Sequence, residues 1–234
     1  GIHDPRIDRH RGPGRMGVRY GDDRPWAHSS ALYPVALVAA MAYADHVIQI
    51  IRTRQYRDAA EIGVWRGETA ERLLQETDLR SLLLVDPFEA TRNDFIPDAG
   101  DELPIRMRAG GRYQCLMDQS APLSQLALDQ LVLEVFRRLN DYNHVDRRQR
   151  VMFLRLASPA AALQVGAETL DCVLLDAIHL YSHVRADLAA WRPNLRSGGL
   201  FMGDDYGDAG VRQAVDEMFG PSVRQENGVW SVDL

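Results

Sequence analysis

Two short apolar runs, each ending abruptly in acids, constrain this chain most. They are Leu174-Leu175-Asp176-Ala177-Ile178-His179 and Phe201-Met202-Gly203-Asp204-Asp205-Tyr206. An unbroken apolar run of this length reads as a strand buried on both faces, as in parallel sheets. In an open α/β sheet, ligands bind just beyond the carboxyl ends of the strands. Three carboxylates and one imidazole are therefore expected to converge at one rim. Hard divalent cations such as Mg²⁺ favour oxygen donors of this kind, so the reaction centre is expected there.

The rest of the chain supplies the rhythm of an α/β domain. Residues 1–26 are rich in Gly, Pro, Arg and Asp without apolar periodicity, and read as a flexible N-terminal tail. Residues 27–234 read as one domain. Its first helix covers roughly 31–53, and strands follow at 59–64, 81–85, 151–156, 171–175 and 200–203. Helices are expected at 69–76, 123–139, 181–191 and 211–219, with a turn at Arg196-Ser197-Gly198-Gly199. The stretch 90–150 breaks the alternation and reads as a substrate-shaping insert. Asn227-Gly228 between two short apolar runs predicts a closing hairpin. Five parallel strands plus that hairpin make a seven-stranded, mostly parallel sheet with an antiparallel C-terminal edge.

Bulk properties narrow the function. A chain of 234 residues suits one domain. The formal net charge of −6 offers no basic footprint for nucleic acid. No run is long enough to span a bilayer and no signal-peptide core is seen, so neither membrane nor nucleic acid is expected as a partner, and a cytoplasmic enzyme is. Cys115 and Cys172 lack metal or redox spacing, and Cys172 reads as a small core residue. All 27 basic residues are arginine. A lysine base is thereby excluded, leaving His, carboxylate, Tyr or Cys.

Glu61-x-Gly63-x-x-x-Gly67-x-Thr69 lies between a strand and a helix. It is neither the Lys-containing phosphate loop nor the dinucleotide G-x-G-x-x-G, which argues against a nicotinamide dehydrogenase. An acid at 61 disfavours a diphosphate and favours a cationic group. Asp86 ends the next strand, where acids commonly accept from ribose hydroxyls. Both acids suit a nucleoside that carries an amine and no phosphate. A tight strand–helix turn with a capping acid is the plainer use of the same residues.

Together these segments resemble the class I S-adenosylmethionine-dependent methyltransferases. Ala60-Glu61-Ile62-Gly63-Val64-Trp65-Arg66-Gly67 resembles their first motif, in a form similar to the macrocin O-methyltransferase group. Asp86-Pro87-Phe88-Glu89 resembles the second. Asp176-x-x-His179-x-Tyr181, Trp191-x-x-x-Leu195-x-x-Gly198-Gly199, Asp204-Asp205-Tyr206 and Gly210-Val211-Arg212-x-Ala214-Val215 match related small bacterial methyltransferases. The resemblance covers roughly 58–220 and implies a Rossmann-like class I methyltransferase fold. It implies that Glu61, Gly63 and Gly67 line the methionine moiety, that Asp86 holds the ribose and that Ser158 lies near the adenine. Val64, Trp65, Thr69, Pro87, Phe88 and Asp176 complete the implied cofactor contacts. Asp176, Asp204 and Asp205 correspond to metal ligands, with Mg²⁺ the expected ion. His179, with Asp176, takes the catalytic position. Many relatives read Asp-Gly-Asp-His where this chain has Asp176-Ala177-Ile178-His179, one acid fewer.

Methyl transfer from a sulfonium leaves the protein mainly to position and deprotonate an acceptor. Mg²⁺ on the three aspartates would lower the acceptor hydroxyl's pKa, and His179 would take its proton. The expected acceptor is a small molecule with adjacent oxygens, a sugar diol or a catechol, as in natural-product metabolism. Two alternatives stay open: a non-catalytic cofactor-binding protein, and a cephalosporin-hydroxylase-like metal-dependent oxidoreductase. Each residue also has a plainer use. Asp204-Asp205 would serve as a helix cap, and His179 as an ordinary part-buried histidine. His183 is read as a surface residue, and Trp65 as a shield over the cofactor pocket. Tyr181 and Trp191 would pack a helix on the sheet. The apolar stripe at 123–139 would pack in the core or meet a second copy, so a homo-oligomer is among the expectations.

Overall fold

Strands that are apolar on both faces are stable only between two helical layers, and this chain supplies both. The computed structural model describes residues 34–89, 117–118, 121–122, 124–145, 150–226 and 228–234. The expected tail at 1–26, most of the expected insert and Cys115 lie outside them. The chain divides into units 1–37 and 38–234, and the sheet lies wholly within the second.

The strands are β1 (Asp58–Ile62), β2 (Ser81–Val85), β3 (Arg150–Leu154), β4 (Leu170–Leu175), β5 (Leu195–Gly203), β6 (Arg224–Glu226) and β7 (Val229–Asp233). They form one seven-stranded sheet in the order β3-β2-β1-β4-β5-β7-β6. The first five run parallel, and β7 returns antiparallel to β5 and β6. This is the Rossmann-like class I methyltransferase arrangement expected from the sequence. The order reverses at β1, whose neighbours are β2 and β4, so a crevice opens beyond the carboxyl ends of β1 and β4. A separate two-stranded pairing joins Met117–Asp118 to Ala121–Pro122.

The helices are α1 (Pro34–Arg54), α2 (Glu68–Glu76), α3 (Gln125–Asn140), α4 (Tyr142–Val145), α5 (Ser158–Ala162), α6 (Tyr181–Trp191) and α7 (Ala209–Phe219). Side chains alternate across the strands, which divides the core in two. On one face Ala59, Leu82, Leu84, Cys172, Leu174 and Met202 cluster with residues of α1, α2 and α3. On the other, Ala60, Ile62, Leu83, Val85, Val173 and Phe201 cluster with residues of α5, α6 and α7. Each fully buried leucine contributes on the order of 1.5–3 kcal/mol. Cys172 is a buried core residue, and its burial pushes the thiol up. None of the described helices is long and apolar enough to cross a membrane.

Leu128, Val135 and Leu139 of α3 are buried in the first core, one of the two uses expected for the apolar stripe at 123–139. Ser124 caps α3 by accepting from the Ala127 N–H at 3.2 Å. The Arg196–Gly199 segment, read as a turn, lies inside β5. Leu170 pairs with Leu195, yet Cys172 already pairs with Leu200, so residues 196–199 bulge out of register. Gly198, at φ 76, supplies the left-handed bend, and the turn residues are there to make it.

At the amino ends of β1, β2 and β4, acids and arginines interlock. Asp171 Oδ2 accepts from the backbone N–H of Arg57 at 2.7 Å and of Asp58 at 2.8 Å. Arg196 bridges Asp171 and Asp58, while Arg80 and the Ser81 hydroxyl also donate to Asp58. Burial opposes the charge of Asp58, but these donors hold its carboxyl below the usual range. Asp58→Asn should cost about 2 kcal/mol in urea unfolding at pH 7. Because the folded pKa is depressed, that contribution is present above about pH 4 and vanishes as pH falls through the folded value. An unchanged unfolding midpoint at pH 7 would contradict this account.

Candidate active site

The crevice is built from three strand ends. After β1 the chain turns sharply. The Ile62 carbonyl accepts from the Asp176 N–H at 2.9 Å, and the Gly63 N–H donates to the Val85 carbonyl at 2.9 Å. Gly63 has φ 90, and a Cβ there would collide with the Asp176 carbonyl oxygen. The structure uses this glycine to bring β1 against β4. Gly67 likewise serves packing. Its φ is 71, and a Cβ there would stand 3.1 Å from Val135 and 3.2 Å from Leu139 of α3. Its bareness admits α3 over the start of α2.

Asp86 holds the loop in shape. Its Oδ2 accepts from the Val64 and Trp65 N–H groups, each at 3.0 Å, and its Oδ1 from the Phe88 N–H at 2.8 Å. A carboxylate offers about four acceptor directions, so at most one remains for a ribose hydroxyl. Trp65 and Phe88 take left-handed φ values of 49 and 47 on either side of this anchor. Such backbone concentrates at functional sites. The side chains of Val64 and Phe88 are core residues, so cofactor contacts expected of them can come only from their backbone. Arg155 donates to the carbonyls of Pro87 and Phe88 at 3.1 and 3.2 Å and fixes the second loop. The Arg66 guanidinium lies 5.6 Å from the Trp65 ring centre. Thr69 is half-buried in the first turn of α2.

Ser158 opens α5 just past β3. Its hydroxyl accepts from the Trp191 indole N–H at 2.9 Å, and it also bonds Asp187, which burial pushes up to about 6. It ties α5 to α6.

The acids of β4 and β5 do converge. Ligand atoms of Asp176, His179 and Asp205 all lie within 4.8 Å of one another. Asp204 is not in this group. The left-handed Asp205, φ 54, turns the chain so that the two successive acids diverge. Asp204 Oδ1 faces the hairpin, 3.9 Å from where a Gly228 Cβ would sit. Burial, with the charge of Asp176 next, pushes Asp204 up to about 6. Of the expected Asp176–Asp204–Asp205 ligand set, Asp176 and Asp205 fall in this group, together with His179. Two carboxylates suffice for Mg²⁺, which keeps several waters. The added imidazole also admits transition metals. The donors fit a divalent cation.

His179 sits within a ring of acids. Its Nε2 lies 3.6 Å from Asp176, and its Nδ1 lies 3.3 Å from Asp205 and 3.2 Å from Asp208. Asp208 escaped the sequence reading, although an acid just before a helix start was a usable signal. Its approach depends on Gly210, where a Cβ would stand 2.6 Å from the His179 carbonyl and 2.8 Å from the Tyr181 N–H. Tyr181 secures the same pair of helices by donating to Glu217 at 2.5 Å. Below the rim, Glu61 is buried, and burial, then the charges of Asp176, Glu68 and Asp86, hold its carboxyl well above the usual range. Its Oε2 has no hydrogen-bond partner. A buried acceptor without a donor suits the cationic group that the sequence predicted for this position.

Known proteins agree with this architecture. A family model described as a methyltransferase domain matches residues 60–206. No curated protein matches the chain. Among solved structures, CalS11, a calicheamicin methyltransferase, aligns at a TM-score of 0.51 and 17% identity, over 84% of this chain and 77% of that one. Apo CalS11, described as a TDP-rhamnose 3′-O-methyltransferase, aligns at 0.50 and 15%, over 90% and 88%. The O-methyltransferase NovP aligns at 0.49 and 20%, over 84% and 79%. At these identities the likeness shows the shared fold. The family match spans most of the chain and contains both the β1 loop and the acids of β4 and β5, so this protein belongs to the methyltransferase-domain family and is a class I S-adenosylmethionine-dependent methyltransferase.

Proposed function

We propose that this protein methylates a hydroxyl of a small molecule, using S-adenosylmethionine and a divalent cation, on an acceptor with adjacent oxygens such as a sugar diol or catechol. The observation that carries the reading is the convergence of Asp176, His179 and Asp205 beside the β1 loop. Bound S-adenosylmethionine supplies a methyl group already activated by its sulfonium. A cation on Asp176 and Asp205 would acidify an acceptor hydroxyl. The residues themselves orient the acceptor and manage its proton. Mg²⁺ is the preferred ion because two carboxylates with water match its habit.

The protonation of His179 qualifies its expected role as base. Burial opposes its charge, but contacts with Asp176 and Asp208 and the charge of Asp205 raise it to about 10. Near neutrality the ion-free site therefore holds an imidazolium, which cannot accept a proton. His179 becomes a base only when another positive charge satisfies Asp176 and Asp205. The same acids serve either a proton on His179 or a cation.

Calorimetric titration with S-adenosylhomocysteine, with and without Mg²⁺, tests the cofactor. Turnover of labelled S-adenosylmethionine on diols and catechols tests the reaction. Binding without turnover on any acceptor would favour the non-catalytic alternative. Iron-dependent oxygen uptake would favour the oxidoreductase.

Asp176→Asn and Asp205→Asn should each reduce turnover about a hundredfold while sparing S-adenosylhomocysteine binding. Asp86→Ala should weaken that binding and also lower stability by about 2 kcal/mol, through loss of hydrogen bonds to a charged acceptor.

In the ion-free protein, the His179 nitrogens should report an imidazolium at pH 8 by NMR. The raised folded value means that its contribution to stability is whole below about 6.5 and is lost as pH rises through about 10. Asp208→Asn should lower the midpoint of that titration. A neutral ring at pH 7 would refute the account.

A further inference from the structure

Glu61 is not alone in lacking a partner beneath the rim. The Tyr43 hydroxyl of α1 is also buried without a hydrogen bond, its residue 3% exposed against 4% for Glu61. A buried polar group left unpaired is costly, and such groups in native folds call for an explanation. Two lie here on one face of the sheet. Glu61 shares its side with Ala59 by strand alternation, and Ala59 and Tyr43 belong to the same core cluster.

Both lie toward the rim. Arg54, at the end of α1, pairs with Asp233 at 2.7 Å. Asp233 lies opposite Leu200, well below the Gly203–Trp230 pair at the upper end of β5. Tyr43 stands eleven residues back along α1, about 16 Å toward the rim. Glu61 stands three residues up β1 from Asp58, about 10 Å. The charges of Asp176, Asp204 and Glu61 all reach the Tyr43 hydroxyl and, after burial, help to raise its pKa. A phenolic oxygen and a carboxylate oxygen, with acids nearby, make an acceptor-rich setting. Its complement is a compact cation with several N–H donors, and a primary ammonium offers three.

We propose that Tyr43 is a ligand-contacting residue: its phenolic oxygen and Glu61 Oε2 together accept from the ammonium group of the cofactor's amino-acid portion. The inference rests on the S-adenosylmethionine reading and adds a residue outside the resembling segment. It makes α1 a wall of the cofactor site as well as a packing element. Binding satisfies both orphaned groups at once, so part of the cost of burying them is recovered only in the complex.

Tyr43→Phe removes the hydroxyl and keeps the ring. Titrations of wild type and variant with S-adenosylhomocysteine and with 5′-methylthioadenosine, which lacks the amino-acid portion, separate the possibilities. The variant should bind S-adenosylhomocysteine about tenfold more weakly and 5′-methylthioadenosine equally well. Its ligand-free thermal midpoint should stay level or rise, since an unpartnered hydroxyl has been removed. Unchanged S-adenosylhomocysteine affinity would overturn the proposal. Equal weakening for both nucleosides, or a lowered ligand-free midpoint with no selective loss, would assign Tyr43 to packing and overturn it too. If wild type bound neither nucleoside, the cofactor reading itself would fail and take this inference with it.

Discussion

The backbone contact between Gly63 and Asp176 is the constraint on which the site depends. Parallel pairing of β1 and β4 extends to Ile62 and Leu175, and one further hydrogen bond, from the Asp176 N–H to the Ile62 carbonyl, carries it past the strands' ends. Only a residue without Cβ, in a left-handed conformation, lets the β1 loop leave at that point without striking Asp176. The loop that Asp86 then organises and the acid that begins the catalytic rim are thereby set side by side. A side chain at 63 would separate them before any ligand was involved.

The two ends of the sheet handle acids in opposite ways. At the amino ends, Asp58 and Asp171 are matched by Arg80, Arg196 and backbone donors, and Asp58 is held ionised. At the carboxyl ends, Asp176, Asp205 and Asp208 all pair with the His179 imidazole, while burial drives Glu61 and Asp204 toward their neutral forms. The first arrangement is a stable closure. The second leaves negative potential in a crevice, where perturbed groups are a mark of function. One positive charge there, the proton on His179, is removable.

Much of this was legible in the sequence because it rests on local signals. Apolar runs marked all five parallel strands, Asn-Gly marked the hairpin, and acids at run ends marked the rim. What escaped were facts of direction and distance. Asp204 and Asp205 are neighbours in sequence, yet a left-handed φ at Asp205 sends them to different partners. Ser158 follows a strand as an adenine contact would, and a tryptophan 33 positions away also engages its hydroxyl. Gly63 and Gly67 have packing reasons as well, Asp176 and α3, partners that no short motif records.

Asp208 and Tyr43 show why such residues stay hidden. Each enters the site from an element that carries no catalytic motif, and each is brought there by packing elsewhere. Gly210 lets α7 close on the segment that bears His179, which delivers Asp208. Arg54–Asp233 and Arg72–Asp45 pin α1 to β7 and to α2, which sets the height of Tyr43. The pins are partly exposed ion pairs, weak individually, whereas the apolar face of α1 buries Val47, Ile48 and Ile51. Burial therefore holds α1 in place, and the ion pairs select its register along the sheet. The polar groups that α1 carries toward the rim depend on that register.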